Sequence, residues 1–421
     1  MDNNRWQIPK GWEVKKLKDV FYINDLSLPS NTSIDYQFRY IPIEQVSTNH
    51  ISFDDCELFR FGDAPGRARR ILRENDVLIS GVRPNLKAFA IFKKPNTNDN
   101  WICSTGFYVL TAKKEEDNLI SYYELLSEIG GSQFYSYVAG SNYPAIGDSD
   151  IRNLRLILPS SKKEKLVISS ILSKVDEAIA SVQNSIAAAE RLKKSLMQNL
   201  LTGKMKPDGT FRTSDEFYID EKFGKVPVGW HWGRLSEIAD IIAGQSPQGE
   251  YYNVNGAGKP MLNGPTEFTD KYPVPVQWTT KITKLCKKGD ILFTVRGSST
   301  GRMNLADQEY CIGRGLAAIR PKSNNNISFI YYTLLKISEM ILAEAKGAGT
   351  TFPNVSRGEL MKKAILIPDT RQNEIIAPIE QLARFSDSKQ RSIDKLEILK
   401  KSLMQNLLTG KVYINSKILN I

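Results

Sequence analysis

The 421-residue sequence holds only two histidines, His50 and His231, which fall at unrelated places along the chain. Its four cysteines, Cys56, Cys103, Cys286 and Cys311, stand far apart, with no CxxC pair and no histidine at ligand spacing. That excludes the common zinc patterns and leaves reduced thiols in a cytoplasm as the expectation. A GxxxxGK[ST] phosphate loop is missing too, because Gly203-Lys204, Gly224-Lys225, Gly258-Lys259 and Gly410-Lys411 all lack the Ser or Thr that must follow. There is no GxGxxG, and no Pro-Pro dipeptide of the kind found in amino-methyltransferase catalytic loops. No apolar run approaches the roughly 20 residues that span a bilayer, and MDNNRWQIPKGWEVKK has no signal-peptide core. The expectation is a soluble, cytoplasmic chain with no membrane contact, no metal and no cofactor of its own.

What is present is positive charge. Lys and Arg outnumber Asp and Glu by 57 to 46, a net +11. Such a surplus suits a polyanionic partner, although many basic proteins bind no nucleic acid. At 41% apolar residues the chain reads as folded, and its length allows two to three domains.

The chain is also written twice. Leu192–Lys204 reads LKKSLMQNLLTGK, and Leu399–Lys411 repeats those thirteen residues without change. Ile8–Val20 (IPKGWEVKKLKDV) matches Val226–Ile238 (VPVGWHWGRLSEI) at Pro, Gly, Trp and Leu. Between these ends, in the same order, NDVLISGVR (Asn75–Arg83) echoes GDILFTVR (Gly289–Arg296), each read as a strand ending in Val-Arg. Tyr122-Tyr123 and Leu125-Leu126 answer to Tyr331-Tyr332 and Leu334-Leu335, and RLILP (Arg155–Pro159) to AILIP (Ala364–Pro368). The ends of the two copies agree closely, whereas 25–110 and 240–310 share little. Similar parts should do one common job, and dissimilar parts should meet different things.

After RLILP the pattern becomes helical. Ile168, Leu172, Val175, Ile179, Val182, Ile186 and Ala189 form a heptad seam, which continues after a phase slip through Leu192, Leu196 and Leu200 to a stop at Thr202-Gly203. A helix of about 40 residues is about 60 Å long, too long for a small domain to cover. The second copy offers Ile379, Leu382, Ile393, Leu396, Leu403 and Leu407, with Lys389 weakening the middle. The expected fold class is α+β: two similar mixed α/β domains separated by two long helices in an antiparallel coiled coil, a pseudo-two-fold tandem repeat. The expected segments are domain 1 over 1–159, a long helix over 160–204, a linker over 205–225, domain 2 over 226–368, a second long helix over 369–411, and a tail over 412–421. The identical helix ends would make two alike surfaces for two copies of one partner, unless they only record a recent duplication.

The dissimilar interiors carry strand-like runs (VLIS, FAIF, FYVL; ILFTV, LAAI), one helix each (Ile120–Ile129; Ile327–Ala345), and loops rich in Arg, Asn, Ser, Thr and Gly. Arg forks to guanine or phosphate, Asn and Gln pair with adenine edges, and small hydroxyls take phosphate. The candidate DNA contacts are Arg67, Arg69, Arg70, Arg83, Lys87, Asn142 and Tyr143 in the first half. In the second half they are Gln245, Ser246, Arg296, Ser298, Arg302, Arg314, Thr351, Phe352 and Asn354. Tyr143 and Phe352 (YP, FP) would wedge against bases or sit in the core beside a proline turn. Arg83 and Arg296, taken as ends of equivalent strands, would touch DNA or form structural ion pairs. PGRARR would bind phosphate or be a solvated basic loop.

One pattern hints at cleavage. Pro207-Asp208 followed by Asp220-Glu221-Lys222 has the PD…DxK form of metal-dependent nucleases. It lies in a polar stretch between the long helix and the second domain, so a linker is the better reading.

The order PKGW-domain, LILP, long helix ending NLLTGK, then PVGW-domain, ILIP, long helix ending NLLTGK resembles the specificity subunits of type I restriction–modification systems. GQSPQGEYYN, KGDILFTVRG and CIGRGLAAIRP are similar to the target-recognition domains of that family. The resemblance covers nearly the whole chain. It implies that each variable domain reads half of a split double-stranded DNA site and that the helices set the unread gap. It further implies two methyltransferase subunits on the helical spacer and separate restriction/translocase subunits, so that S-adenosylmethionine, ATP and Mg²⁺ belong to partners and this chain catalyses nothing. The competing readings are a protein-binding scaffold and a fused metal-dependent DNA-cleaving enzyme. The tail VYINSKILNI is expected to pack back on the N-terminal domain.

Overall fold

The computed structural model describes residues 8–135, 144–323, 325–347, 353–369 and 371–412. They divide into two units, each assembled from one globular half and pieces of both long helices. The first comprises Met1–Asn184 and Gln390–Ile421, and the second Ser185–Lys389.

In the first unit, Trp12–Lys16 pairs antiparallel with Arg155–Pro159, Trp12 facing Pro159 and Lys16 facing Arg155. An antiparallel sheet runs Phe21–Ile23, Phe107–Ala112, Val77–Ser80, Phe89–Ile91. All four residues of Val77–Ser80 are buried, as expected of a central strand covered on both faces. A second sheet, Leu58–Arg60, Gln37–Ile41, Trp101–Ser104, Ala68–Ile71, contains one parallel pair, Trp101–Cys103 on Arg39–Ile41. The second unit repeats this plan. Trp230–Arg234 pairs with Ala364–Pro368; Ala239–Ala243, Leu316–Pro321, Ile291–Thr294 and Met303–Leu305 make the antiparallel sheet. Tyr252–Asn253, Gln277–Thr279, Lys259–Leu262 and Cys311–Ile312 make the mixed sheet, again with one parallel pair, Met261 on Cys311.

Where sequence expects one helix in each half, the first half has two, Glu115–Leu126 and Glu128–Tyr135, against Ile327–Gly347 in the second. The break follows from Gly130 and Gly131. A Cβ on Gly130 would stand 2.0 Å from the Glu124 carbonyl oxygen. The chain bends at Ser127, and the freed carbonyls of Leu126 and Ser127 accept hydrogen bonds from the Lys87 ammonium at 2.7 and 3.1 Å.

The long helices are Lys162–Leu200 and Gln372–Leu407. Leu172, Ile379 and Ile393 are buried seam residues, while Val175, Ile179, Val182, Ile186, Leu382 and Leu396 are half-buried. Leu192 departs from the expected seam: it is 51% exposed, and Met197 is buried in its place. Within the first unit, Asp176 accepts the Tyr123 hydroxyl at 2.8 Å and pairs with Lys400 at 2.6 Å. Within the second, Glu190 accepts the Ser386 hydroxyl at 2.9 Å and pairs with Lys193 at 2.7 Å.

The repeated ends meet crosswise. Gly203 closes the first long helix in the left-handed region (φ +63°), where a Cβ would come 2.4 Å from Pro227 and 3.4 Å from Trp230. Gly410 closes the second helix (φ +64°) against Pro9 at 2.5 Å and Trp12 at 3.8 Å. Leu200 and Leu201 therefore join the core around Trp230, and Leu407 and Leu408 that around Trp12. The identical LKKSLMQNLLTGK segments each seat on a PxGW element, which gives their likeness a packing reason. Of the tail over 412–421, all but Val412 lies outside the described residues; the contact with Pro9 and Trp12 comes from the helix end before it.

The segment expected as a linker is ordered. Phe217–Asp220 and Gly224–Pro227 form a hairpin, entered through a capping box in which Thr213 and Glu216 satisfy each other. The acidic residues of the nuclease-like pattern serve its turns. Asp220 accepts the Lys222 and Phe223 amides, each at 2.9 Å, and Asp208 accepts the Thr210 amide at 2.9 Å. Among the described residues no His/Cys/Asp/Glu group could hold a metal ion, and no helix is long and apolar enough to cross a membrane.

Candidate nucleic-acid interface

In the second unit four loops that sequence placed far apart are tied together by backbone hydrogen bonds. Gly244 donates to Leu316 O at 2.9 Å and Gln245 to Ile312 O at 2.8 Å. Val295 donates to Gly315 O, Val355 to Val295 O, and Gly297 to Pro353 O, at 2.9, 2.9 and 2.8 Å. The turns carrying Gln245, Arg296, Arg314 and Asn354 thus form one patch at a common end of the two sheets. Ser246 Oγ accepts the Arg314 amide at 3.1 Å and ties the GQS and GRG turns together. Glycine permits the crowding, since a Cβ on Gly244 would meet Gly313 O at 2.2 Å. Gln245, Arg296, Ser298, Arg314 and Asn354 are exposed on this patch.

The first unit repeats the network. Gly81 donates to Gly106 O at 2.8 Å, Ile146 to Gly81 O at 3.0 Å, and Arg83 to Pro144 O at 2.7 Å. The basic loop joins it, because Thr105 donates to Arg67 O at 2.8 Å and Leu28 to Arg69 O at 2.8 Å. Arg67 is exposed, and Arg69 lies over the Phe61 ring at 4.6 Å while donating to Ala68 O. Arg70 donates to Ser27 Oγ at 2.9 Å. Asn142 and Tyr143, like Thr351 and Phe352, lie outside the described residues.

These networks correct one pairing. The two Val-Arg sequences are not equivalent: Ser80 faces Phe107 as Thr294 faces Leu316, so Val82 corresponds to Arg296 and Arg83 to Gly297. The bridges agree, Val82 with Ala145 and Arg296 with Asn354. Gly81 stands at the place of Val295, so the Val-Arg match would require a one-residue gap that the strands do not have. Arg83 takes up a left-handed conformation (φ 49°), uncommon for a side chain of its size, where its counterpart is a glycine (φ 87°). It is exposed.

Two candidates hold the fold together. Lys87 (φ 51°) caps the broken helix described above, half-buried and packed on Gly131, and burial lowers its pKa below the ordinary lysine value. Arg302 donates to Pro265 O at 3.3 Å and Phe268 O at 3.0 Å, bracing the neighbouring loop.

Sequence reasoning missed Lys281, Lys284, Asn263 and Gln277. The Leu285–Cys311 bridge stands where Ala68–Ile71 pairs with Trp101–Ser104, so KITKL is the second unit's counterpart of the basic loop. Lys281 lies over the Tyr251 ring at 4.7 Å, and Lys284 is exposed. Asn263 donates to Gln277 Oε1 at 3.3 Å beside the GRG turn. Only the pairing of distant strands joins these residues.

The four cysteines are free and buried, and burial pushes the Cys56 thiol up to about 11 and Cys286 up to about 12, so neither is a thiolate at neutral pH. His231 is exposed and hydrogen-bonds Asp369 at 3.0 Å.

The two units thus share one loop network and carry different side chains on it. The model of the type I restriction modification DNA specificity domain matches residues 9–191 and again 227–398, and the chain belongs to that family. A Methanocaldococcus jannaschii protein assigned as the MjaX type I restriction enzyme specificity subunit is 29% identical, over 97% of this chain and 96% of its own. A chain from a solved type I restriction–modification system, studied for complex assembly and conformational transition, is 27% identical with a TM-score of 0.57, covering 97% of this chain and 100% of its own. The type I restriction–modification S subunit from M. genitalium shares the fold at TM-score 0.58 and 16% identity, over 97% of each chain.

Proposed function

We propose that this chain is the DNA-specificity subunit of a type I restriction–modification system, working in the cytoplasm and catalysing nothing itself. Each unit reads one half of a split double-stranded DNA site, through the loop patch around Arg296 and Arg314 in one and around Arg67 and Arg83 in the other. The observation that carries this is the recurrence of one backbone network in two units with unlike side chains on it. A constant frame with variable readers is what two different half-sites require.

The long helices act as an antiparallel spacer. Asp176 meets Lys400 and Glu190 meets Ser386, so the later residue of the first helix pairs with the earlier residue of the second. The domain limits follow the segments given by sequence, with the hairpin over 217–227 counted into the second half. Leu192 and Leu399, half exposed within their identical segments, offer the same surface twice, suited to two methyltransferase subunits. Restriction/translocase subunits join that complex, and the donor of the methyl group and the nucleotide belong to the partners.

The test is co-expression with the methyltransferase subunit followed by long-read mapping of methylated bases. A split motif with an unread gap is the expected result. Insertion of one or two helical turns within 173–189 should lengthen the gap and leave both half-sites unchanged. A stable complex that methylates nothing new would overturn the reading in favour of a scaffold.

A further inference from the structure

We infer that Gln277, held by Asn263, is a base-reading residue of the second unit and selects adenine; this rests on the DNA-reading role proposed above. Gln277 starts the strand Gln277–Thr279, facing Met261, and Asn263 directly follows Lys259–Leu262. Both belong to the variable interior, and neither stands in a motif.

Three features put this amide pair at the loop patch. Gly313 donates its backbone N–H to Leu262 O at 2.8 Å, joining the GRG turn to the strand before Asn263. A Cβ on Gly313 would come 2.4 Å from Asn263 Oδ1 and 3.1 Å from Ser246 Oγ, and one on Gly315 would come 2.4 Å from Asn263 O. Ser246, Arg314 and the amide pair are therefore immediate neighbours.

The hydrogen bond decides what Gln277 can recognise. Asn263 Nδ2 donates to Gln277 Oε1 at 3.3 Å, which fixes which way round the glutamine amide stands and occupies one of its two oxygen lone pairs. One lone pair and the amide N–H groups remain, and among the described residues that nitrogen meets no acceptor. A neighbouring acceptor and donor on one planar group match the N6 amine and N7 of adenine in the major groove. Being half-buried and braced, the side chain loses little rotamer freedom on binding.

The first unit has other chemistry at the same places. Ile41 faces Cys103 as Leu262 faces Ile312, which sets Pro42 against Asn263 and Glu57 against Gln277. A carboxylate only accepts, and a proline cannot brace it. Two units that share a frame and differ here would read different bases.

The experiment uses the full chain with its methyltransferase subunit, mapping methylated motifs and measuring binding to duplexes that vary one position at a time. Gln277→Ala should make one adenine position of one half-site degenerate, weaken binding to the original site about 10- to 100-fold, and leave the other half-site untouched. Gln277→Glu should shift that position toward cytosine. Gly313→Ala, which displaces Asn263, should loosen the same position with Gln277 intact. An unchanged motif in Gln277→Ala, or a fixed base other than adenine there, overturns the inference and leaves the proposed function standing. Equal loss at both half-sites with a lowered Tm makes Gln277 a folding residue and also overturns it. A wild-type complex with no split motif removes both readings.

Discussion

The two units solve one packing problem with different polar groups. In the first, the helix Glu115–Leu126 meets the long helix through a buried ion pair, Asp117–Lys165 at 2.5 Å, with both side chains about 5% exposed. At the matching place the second unit is uncharged: Asn326 donates its backbone N–H to Gln372 Oε1 at 2.7 Å and its side-chain amide to Asn373 Oδ1 at 2.5 Å. Elsewhere it is the second unit that holds the ion pair. Asp290 is clasped by Arg320 at 2.7 Å, whereas the equivalent Asp76 accepts a hydrogen bond from Thr111 at 2.5 Å. The apolar frame, the strand registers and the PxGW seats are shared, so stability does not require any one of these polar solutions. At these places a buried polar group is answered by whichever partner its own unit supplies.

That contrast can be broken most forcefully at the ion pair. Asp117→Ala leaves the Lys165 ammonium buried without its partner and should cost about 3–5 kcal/mol, whereas Asn326→Ala should cost about 1–2 kcal/mol. Calorimetric unfolding of the two variants measures both, and equal losses would dissolve the distinction. A second asymmetry is sensitive to pH. Glu124 is 1% exposed, and burial pushes its carboxyl up to about 8, where the second unit has Thr333. A raised folded pKa means that the folded unit keeps a proton the unfolded chain releases. Stability is therefore greatest below the ordinary carboxylate range, falls as pH rises toward about 8, and levels off above it, with a slope of at most ~1.4 kcal/mol per pH unit. Glu124→Gln should flatten Tm against pH between 5 and 8; a profile as steep as the wild type would place the titrating group elsewhere.

The smallest effect sharpens the corrected register. Arg296→Ala should weaken recognition of one half-site about 10-fold and lessen its salt dependence. Val82→Ala, at the corresponding place in the first unit, should leave binding to either half-site unchanged. Titrations against duplexes altered in one half at a time separate the two, and equal loss at both halves on Arg296→Ala would make it a general phosphate or folding residue.

Sequence disclosed the frame better than the readers, for a physical reason. Heptad spacing, the paired PxGW and NLLTGK segments and the apolar strands are local patterns with fixed periods. The Asp117–Lys165 pair spans 48 residues and the Asn263–Gln277 pair joins two strands through tertiary pairing, so neither leaves a local trace. Arg83 and Arg296 share a Val-Arg dipeptide but stand one place apart in the strand register, which only the pairing with Phe107 and Leu316 reveals. For Lys87, offered by sequence as a DNA contact, the structure adds a role no local pattern shows, since the helix break at Ser127 supplies carbonyls for its ammonium. The nuclease-like acids proved to be turn residues, which their polar surroundings already favoured.

The seating of Gly410 against Pro9, with Leu407 and Leu408 in the core around Trp12, has a consequence for synthesis. Ser185–Lys389 is one continuous stretch, so everything the second unit packs around is made before Gln390 and the residues that follow it. The first unit cannot close its apolar interior until Leu407 and Leu408, made after every residue of the second unit, have emerged. Birth order and completion order are reversed for the two units: the one begun first is finished last, its seat beside Trp12 filled only by residues made after the other unit.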